Sequence, residues 1–405
     1  MININRLVQS IEELALIGKT PSGGVTRYAY TQIEQQANEY VKQLMEASGL
    51  TTYYDAIGNL IGQYEGCESL PSIVLGSHID TVPEGGKFDG ALGVLTAIEV
   101  VATFIEKQIK LKHPIKIIAF KDEEGARFQF GMIGSRAAAG TLQDGDLNRV
   151  DDTGITLKEA MYNQCFSPHL MTDAILKDVK CYLELHIEQG KVLEKANASV
   201  GIVSGIAGPL WKEYKIVGTA EHAGATPMSM RKDPLVAASQ IIVKIEEMAR
   251  QYANAVATVG KIQVLPNGIN VIPDEVAFTV DIRDIDIEIR DKLEQQIEDF
   301  VKMTVKERKL SYQVQVLQRV PSVPCDNSIQ TAIHQAMVKL ELSPITLPSG
   351  AGHDAMQFHN LFPIGMIFIC SKEGISHNPK EYSSPLHIKD GANVLFETLL
   401  TLDQV

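Results

Sequence analysis

A buried strand that ends in metal-type ligands, followed by a helix and a second buried strand, constrains this chain more than any other feature. Ile73-Val74-Leu75, bracketed by Pro71 and Gly76, reads as a short interior strand. It runs into Gly76-Ser77-His78-Ile79-Asp80-Thr81 and then Gly85-Gly86-Lys87-Phe88-Asp89-Gly90. Leu92 to Gln108 predicts a helix, because its apolar residues fill more than one face and Gly90 precedes it as a breaker. Ile115 to Phe120 is the next buried strand. Strand, helix and strand in this order predict a parallel α/β sheet, which places ligands at the carboxyl ends of its strands. His78 and Asp80 fall at such an end. Asp80, two residues on, points the same way along an extended chain and is expected to accept the second imidazole N–H of His78. Asp89 follows in a glycine-rich loop that bends enough to bring a second carboxylate to the same ion.

The second strand repeats the logic. It ends in Lys121-Asp122-Glu123-Glu124-Gly125, where adjacent glutamates cannot face one ion in the same way. One is free to bind metal while the other takes a proton from water, although a bare Asp-Glu-Glu also reads as a solvated acidic turn. Cys181 to Gly190 alternates like a strand with His186 at its end, and His377 follows the buried strand Pro363 to Ile369. Two imidazoles and several carboxylates suit zinc, manganese, cobalt or nickel. His113, His169, His334, His359 and His387 match no such pattern and read as structural.

At 405 residues the chain is too long for one core, and the pattern changes near Pro209. Trp211 to Gly218, Ala255 to Leu265, Glu275 to Ile285 and Leu310 to Val320 read as strands. Pro234 to Gln251 and Ile289 to Glu307 read as helices. Strand-helix-strand twice over is the split βαβ, ferredoxin-like arrangement. The expected layout is therefore α/β: a catalytic domain from 1–208 and 326–405 with a mixed, largely parallel sheet, and an inserted α+β domain at 209–325. Thr141 to Lys180 reads as polar and irregular. The N-terminal region carries Arg6, Glu12 and Glu13 among its apolar residues, unlike a signal peptide, with Leu7, Ile11 and Leu14 at helical spacing. A net charge of −13 argues against nucleic acid as partner. Apolar runs are too short to span a bilayer. Five scattered cysteines without a C-x-x-C pair fit free thiols in a reducing cytoplasm. No phosphate-loop or strand-linked G-x-G-x-x-G motif points to a nucleotide.

The ordered set Gly76-Ser77-His78-x-Asp80-Thr81-Val82, Gly85-Gly86-x-Phe88-Asp89-Gly90, Glu123-Glu124-Gly125-x-Arg127-Phe128, His186-Ile187-Glu188-Gln189-Gly190 and Ser376-His377-x-Pro379 resembles the hydantoinase/carbamoylase family of metal-dependent amidohydrolases. That family lies within the larger group of aminoacylases and dinuclear-zinc peptidases. The resemblance covers nearly the whole chain. It implies two divalent ions held by His78, Asp89, Glu124, His186 and His377, with Asp89 bridging. It makes Glu123 the general base and Asp80 the outer partner of His78. The inserted domain would act as lid and as the surface of a homodimer. Gln189, His222, Asn270, Arg283, Gly352 and His353 would contact a small substrate bearing a carboxylate and a carbamoyl or amide group. Arg283 would suit a bidentate carboxylate contact and His222 an oxyanion. Read from their residues alone, Arg283 equally fits a strand-end ion pair and Asn270 a turn after Gly268. The implied reaction is hydrolysis of N-carbamoyl-L-amino acids. Allantoate amidohydrolase or β-ureidopropionase chemistry is the nearest alternative, and dipeptidase, aminoacylase or a non-catalytic binding role is more distant.

Overall fold

The computed structural model describes residues 2–404. The chain divides into two compact units: 1–204 with 325–347 and 353–405, and 205–324 with 348–352. The smaller unit thus also takes in Pro348 to Gly352, a segment that no sequence pattern assigns to it.

In the larger unit the sheet runs Thr51–Tyr54, Leu60–Tyr64, Ile115–Phe120, Ser72–His78, Val179–Ile187, Ile364–Ile369 and Val200–Ile206. Ser72–His78 pairs in parallel with both Ile115–Phe120 and Val179–Ile187, and Ile364–Ile369 pairs in parallel with Val179–Ile187. The flanking pairings are antiparallel. Ser72–His78 is buried at every position, as a strand covered on both faces requires. The helix Ala91–Glu106 is buried from Ala91 to Phe104, which explains its all-round apolar sequence. It packs so tightly that a Cβ on Gly93 would lie 2.3 Å from the Leu185 carbonyl oxygen. The first helix, Ile4–Leu16, buries Leu7, Ile11 and Leu14 on one face, and Asn3 caps its start by accepting from the Arg6 amide.

The Thr141 to Lys180 stretch is more ordered than its composition predicts. Thr156 and Glu159 form a capping box at the start of helix Leu157–Asn163. Leu157, Ala160 and Met161 join Tyr30, Ile57 and Phe128 in a satellite core. The strand Val200–Ile206 is a further element that the sequence reading leaves out.

The smaller unit has an antiparallel sheet ordered Ile262–Leu265, Glu275–Arg283, Leu210–Val217, Ser311–Arg319. Val276, Phe278, Val280 and Ile282 point to one face, where helices Pro234–Ala249 and Ile287–Glu307 cover them. The expected strand over Ala255 to Leu265 is two strands, Val256–Thr258 and Ile262–Leu265. Both pair with Glu275–Arg283, at its opposite ends, so the chain between them steps out of register.

Candidate metal centre

The parallel strands deliver their polar ends to one place. His78 closes Ser72–His78, and His186 lies one residue from the end of Val179–Ile187; both are buried. The Asp89 carboxylate reaches them from the glycine loop: its Oδ1 is 3.5 Å from His78 Nε2 and 3.1 Å from His186 Nε2. Its Oδ2 is 3.4 Å from His377 Nε2, which in turn lies 3.3 Å from Glu124 Oε1. Asp89 therefore joins two triads, His78–Asp89–His186 and Asp89–Glu124–His377. In each, the donor atoms lie within 4.8 Å of one another.

Local geometry fixes these side chains. Nδ1 of His186 faces the Ile187 carbonyl at 3.0 Å, and Nδ1 of His78 faces the Asp80 carbonyl at 3.1 Å, so both rings aim Nε2 at Asp89. The expected bond from His78 to the Asp80 carboxylate is replaced by this backbone contact, with Oδ1 at 3.6 Å. The Asp80 carboxylate instead accepts the amides of Glu123 and Glu124, each at 3.2 Å. It is an adjacent backbone, not the imidazole, that this side chain holds. Gly90, at φ +63°, passes His78 so closely that a Cβ would lie 2.4 Å from Nε2.

The electrostatics are those of crowded anions. Burial raises the Asp80 carboxyl to about 6, with Glu124 adding to the shift. Burial also raises Glu123 well above the ordinary carboxylate range; His78 opposes this and Asp354, Glu124 and Asp80 reinforce it. For Asp89 burial pushes up too, yet His186, His377 and His78 together hold it well below its usual value. His377 is raised to about 10 by its contacts with Asp89 and Glu124. Gln189 donates to Asp89 Oδ2 at 2.8 Å, while its Oε1 is buried without a hydrogen-bond partner among the described residues. Two imidazole nitrogens opposite a shared carboxylate, a third with a further carboxylate, and an orphaned amide oxygen fit divalent cations in both chemistry and charge.

The remaining sequence candidates fall in different settings. His353 is buried edge-on against His186, ring centroids 4.6 Å apart, with its pKa pushed well below normal by burial and by His186. Gly352 ends the 348–352 segment of the smaller unit. His222 and Asn270 come together there on a two-stranded ribbon: His222 pairs with Val271, and the Asn270 carbonyl accepts the Ala223 amide at 3.0 Å. His222 Nδ1 accepts the amides of Gly224 and Ala225, which leaves the ring proton on an exposed Nε2. Arg283 stands in the strand-end ion pair that its residues alone also fit. Its Nε and Nη2 face Asp281, at 3.0 Å and 2.8 Å, and Nη1 donates to the Gly350 carbonyl, so its fork is engaged by the strand-end ion pair. Glu184, which the sequence reading passes over, is buried beside His186 and accepts from Ser77, Tyr182 and the Ala355 amide. Its place two residues before His186 on an inward-facing strand is the signal that marks it.

A mixed sheet whose central parallel strands bring histidines and carboxylates to one end, with a glutamate beside them, defines a hydrolase-type centre. The chain belongs to peptidase family M20/M25/M40, whose model matches residues 74–401. It is 48% identical to an N-carbamoyl-L-amino acid amidohydrolase of Geobacillus stearothermophilus, over the full length of both chains. It is 43% identical to an N-carbamoyl-L-amino-acid amidohydrolase of Pseudomonas sp. (strain NS671), with 98% of each covered. Among solved structures, an amidase of the hydantoinase/carbamoylase family from Burkholderia multivorans matches with a TM-score of 0.93 at 33% identity, covering 99% of this chain and 98% of that one.

Proposed function

We propose that this protein hydrolyses the carbamoyl C–N bond of N-carbamoyl-L-amino acids, releasing the amino acid, carbon dioxide and ammonia. The observation that carries the reading is the pair of ligand triads joined at Asp89, with the Glu123 carboxylate 3.7 Å from His78 Nε2. His78, Asp89 and His186 would hold one divalent ion and Asp89, Glu124 and His377 a second. Zinc, manganese, cobalt or nickel suits these N and O donors. Bound there, the ions supply Lewis-acid polarisation of the carbamoyl oxygen and acidify water.

The chain's own residues do the rest. Glu123 takes a proton from the attacking water as a new C–O bond forms at the carbamoyl carbon, then gives it to the leaving nitrogen as one C–N bond breaks; the carbamic acid so formed breaks its remaining C–N bond spontaneously, which frees carbon dioxide and the second nitrogen and completes the amino acid and ammonia. Asp80 positions Glu123 through the backbone amides. Gln189 and His353 are assigned to substrate, as are His222, Asn270, Arg283 and Gly352. For His222 the free Nε2–H supports an oxyanion-donor role. The smaller unit is assigned the lid and the surface of a homodimer. Among the described residues no helix is long and apolar enough to cross a membrane. The five cysteines are free thiols, which supports a cytoplasmic location.

The test is ammonia release by metal-reconstituted protein offered N-carbamoyl-L-amino acids, N-carbamoyl-β-alanine, allantoate, N-acetyl amino acids and dipeptides. Preference for the carbamoyl-L-amino acids supports the proposal. Turnover of allantoate alone reassigns the same chemistry to that ureido acid, and inactivity across the panel overturns the enzymatic reading.

A further inference from the structure

The Asp89 loop and the His377 loop are joined by a side chain that no part of the proposed chemistry uses. Glu381 is 4% exposed. Its Oε1 accepts the amides of Phe88 at 2.8 Å and Asp89 at 3.1 Å, across nearly 300 residues of sequence. Its Oε2 accepts from Ser376 Oγ at 2.9 Å, and the same hydroxyl lies 2.5 Å from Asp89 Oδ2. Glu381 is itself tied to the ligand loop, because its amide donates to the Asn378 carbonyl at 3.0 Å and closes the turn after His377. The glycine loop is shaped to admit it: a Cβ on Gly86 would lie 2.0 Å from Glu381 Oε1 and 2.1 Å from Cδ. Gly86 is a required glycine because a carboxylate occupies the space its side chain would fill.

We infer that Glu381 is a positioning residue that sets the distance between Asp89 and His377, and so tunes the second of the two metal sites. The two carboxylate oxygens of Glu381 have the lone pairs to take both backbone amides and to share the single Ser376 proton with Asp89 Oδ2. The inference rests on the proposed metal reading but makes a separate claim. The pair His78 and His186 is held by strand ends and carbonyl contacts that do not involve Glu381. Both triads share Asp89, but only the second also depends on the His377 loop, so loss of Glu381 falls more heavily on Asp89–Glu124–His377.

The experiment is stepwise binding of zinc to the metal-free full chain, read by competition with a fluorescent chelator, for wild type, Glu381→Ala, Glu381→Gln and Ser376→Ala. Thermal unfolding of each metal-free protein is measured alongside. The expected result is two binding steps in wild type, with the weaker step lowered roughly 10- to 100-fold in Glu381→Ala, the range for removing an outer partner of a ligand. Glu381→Gln recovers part of that loss, since its amide oxygen still accepts from Phe88 and Asp89. Ser376→Ala shows an intermediate loss. If Glu381→Ala does not fold, the glutamine and serine variants carry the test. Folded variants with both binding steps unchanged overturn the inference, even if their metal-free unfolding temperature falls. A wild type that binds no zinc overturns the proposed metal centre instead.

Discussion

Replacing Gly90 by alanine is the smallest change that separates folding from metal binding in this protein. Gly90 precedes helix Ala91–Glu106 with φ +63° and ψ −55°, a region that an L-residue occupies only under strain of about 1–3 kcal/mol. The added Cβ would also stand 2.4 Å from His78 Nε2 and 2.5 Å from Cδ2 and Cε1, where ordinary contact begins at 3.4 Å. The ring must therefore retreat by 3.4 − 2.4 = 1.0 Å. Ligand distances in metal sites hold to about 0.2 Å, so this displacement is roughly five times the tolerance. The strain is smaller than the stability of a domain, about 5–15 kcal/mol, so circular dichroism should show a folded protein. Metal affinity should fall by more than the roughly 100-fold seen when an outer partner is removed, because a ligand itself has moved. The assay is metal content by mass spectrometry after dialysis, with chelator competition for affinity. A folded Gly90→Ala that retains wild-type affinity would refute the claim that His78 Nε2 is a ligand held in place by that loop.

Glu123→Gln should leave metal content near wild type while lowering turnover by about 100- to 10,000-fold, the usual worth of a positioned general base; ammonia release at saturating substrate reads it. Metal-free protein should lose stability as pH rises from about 6 to about 9. Folded-state values are raised to about 6 for Asp80, about 7 for Glu381 and about 8 for Asp354, each chiefly by burial, and to about 10 for His377 by Asp89 and Glu124. The folded chain then holds more protons than the unfolded one across this window, so each group's contribution is present at low pH and is lost as pH climbs through its folded value. Metal-loaded protein should show a weaker or reversed trend, because bound ions hold the ligands deprotonated. Melting curves of both forms check the sign, and metal-free protein that gains stability over this range contradicts it. Lys121→Met should destabilise the chain by about 3–5 kcal/mol, since it strips the counter-ion from Glu34, with both side chains 2% exposed. Denaturant unfolding measures this, and adding Glu34→Gln should recover most of the loss.

Where apolar patterning was strong the sequence was readable. Ile115–Phe120 appears with its expected bounds. The Leu92 to Gln108 reading and the helix Ala91–Glu106 coincide for the same reason: apolar residues fill more than one face of a helix that is buried nearly all round. Legibility fails where the deciding contact is distant in sequence. Nothing near Glu381 signals that its carboxylate will meet Phe88 and Asp89, and nothing near Arg283 signals that Gly350 will take one of its donors. The Asp80 expectation came from side-chain alternation, and it missed that the turn brings the Asp80 carbonyl nearer to His78 Nδ1 than the carboxylate. The helix Leu157–Asn163 has one legible signal, the capping signature Thr156-x-x-Glu159, in an otherwise polar stretch.

The central claim is that one carboxylate, Asp89, joins two metal sites. An anomalous difference map from crystals grown with zinc, recorded above the zinc edge, tests it most directly. The account predicts two peaks per chain flanking the Asp89 carboxylate, one against His78 and His186 and the other against Glu124 and His377. A single peak, or peaks away from Asp89, would contradict it.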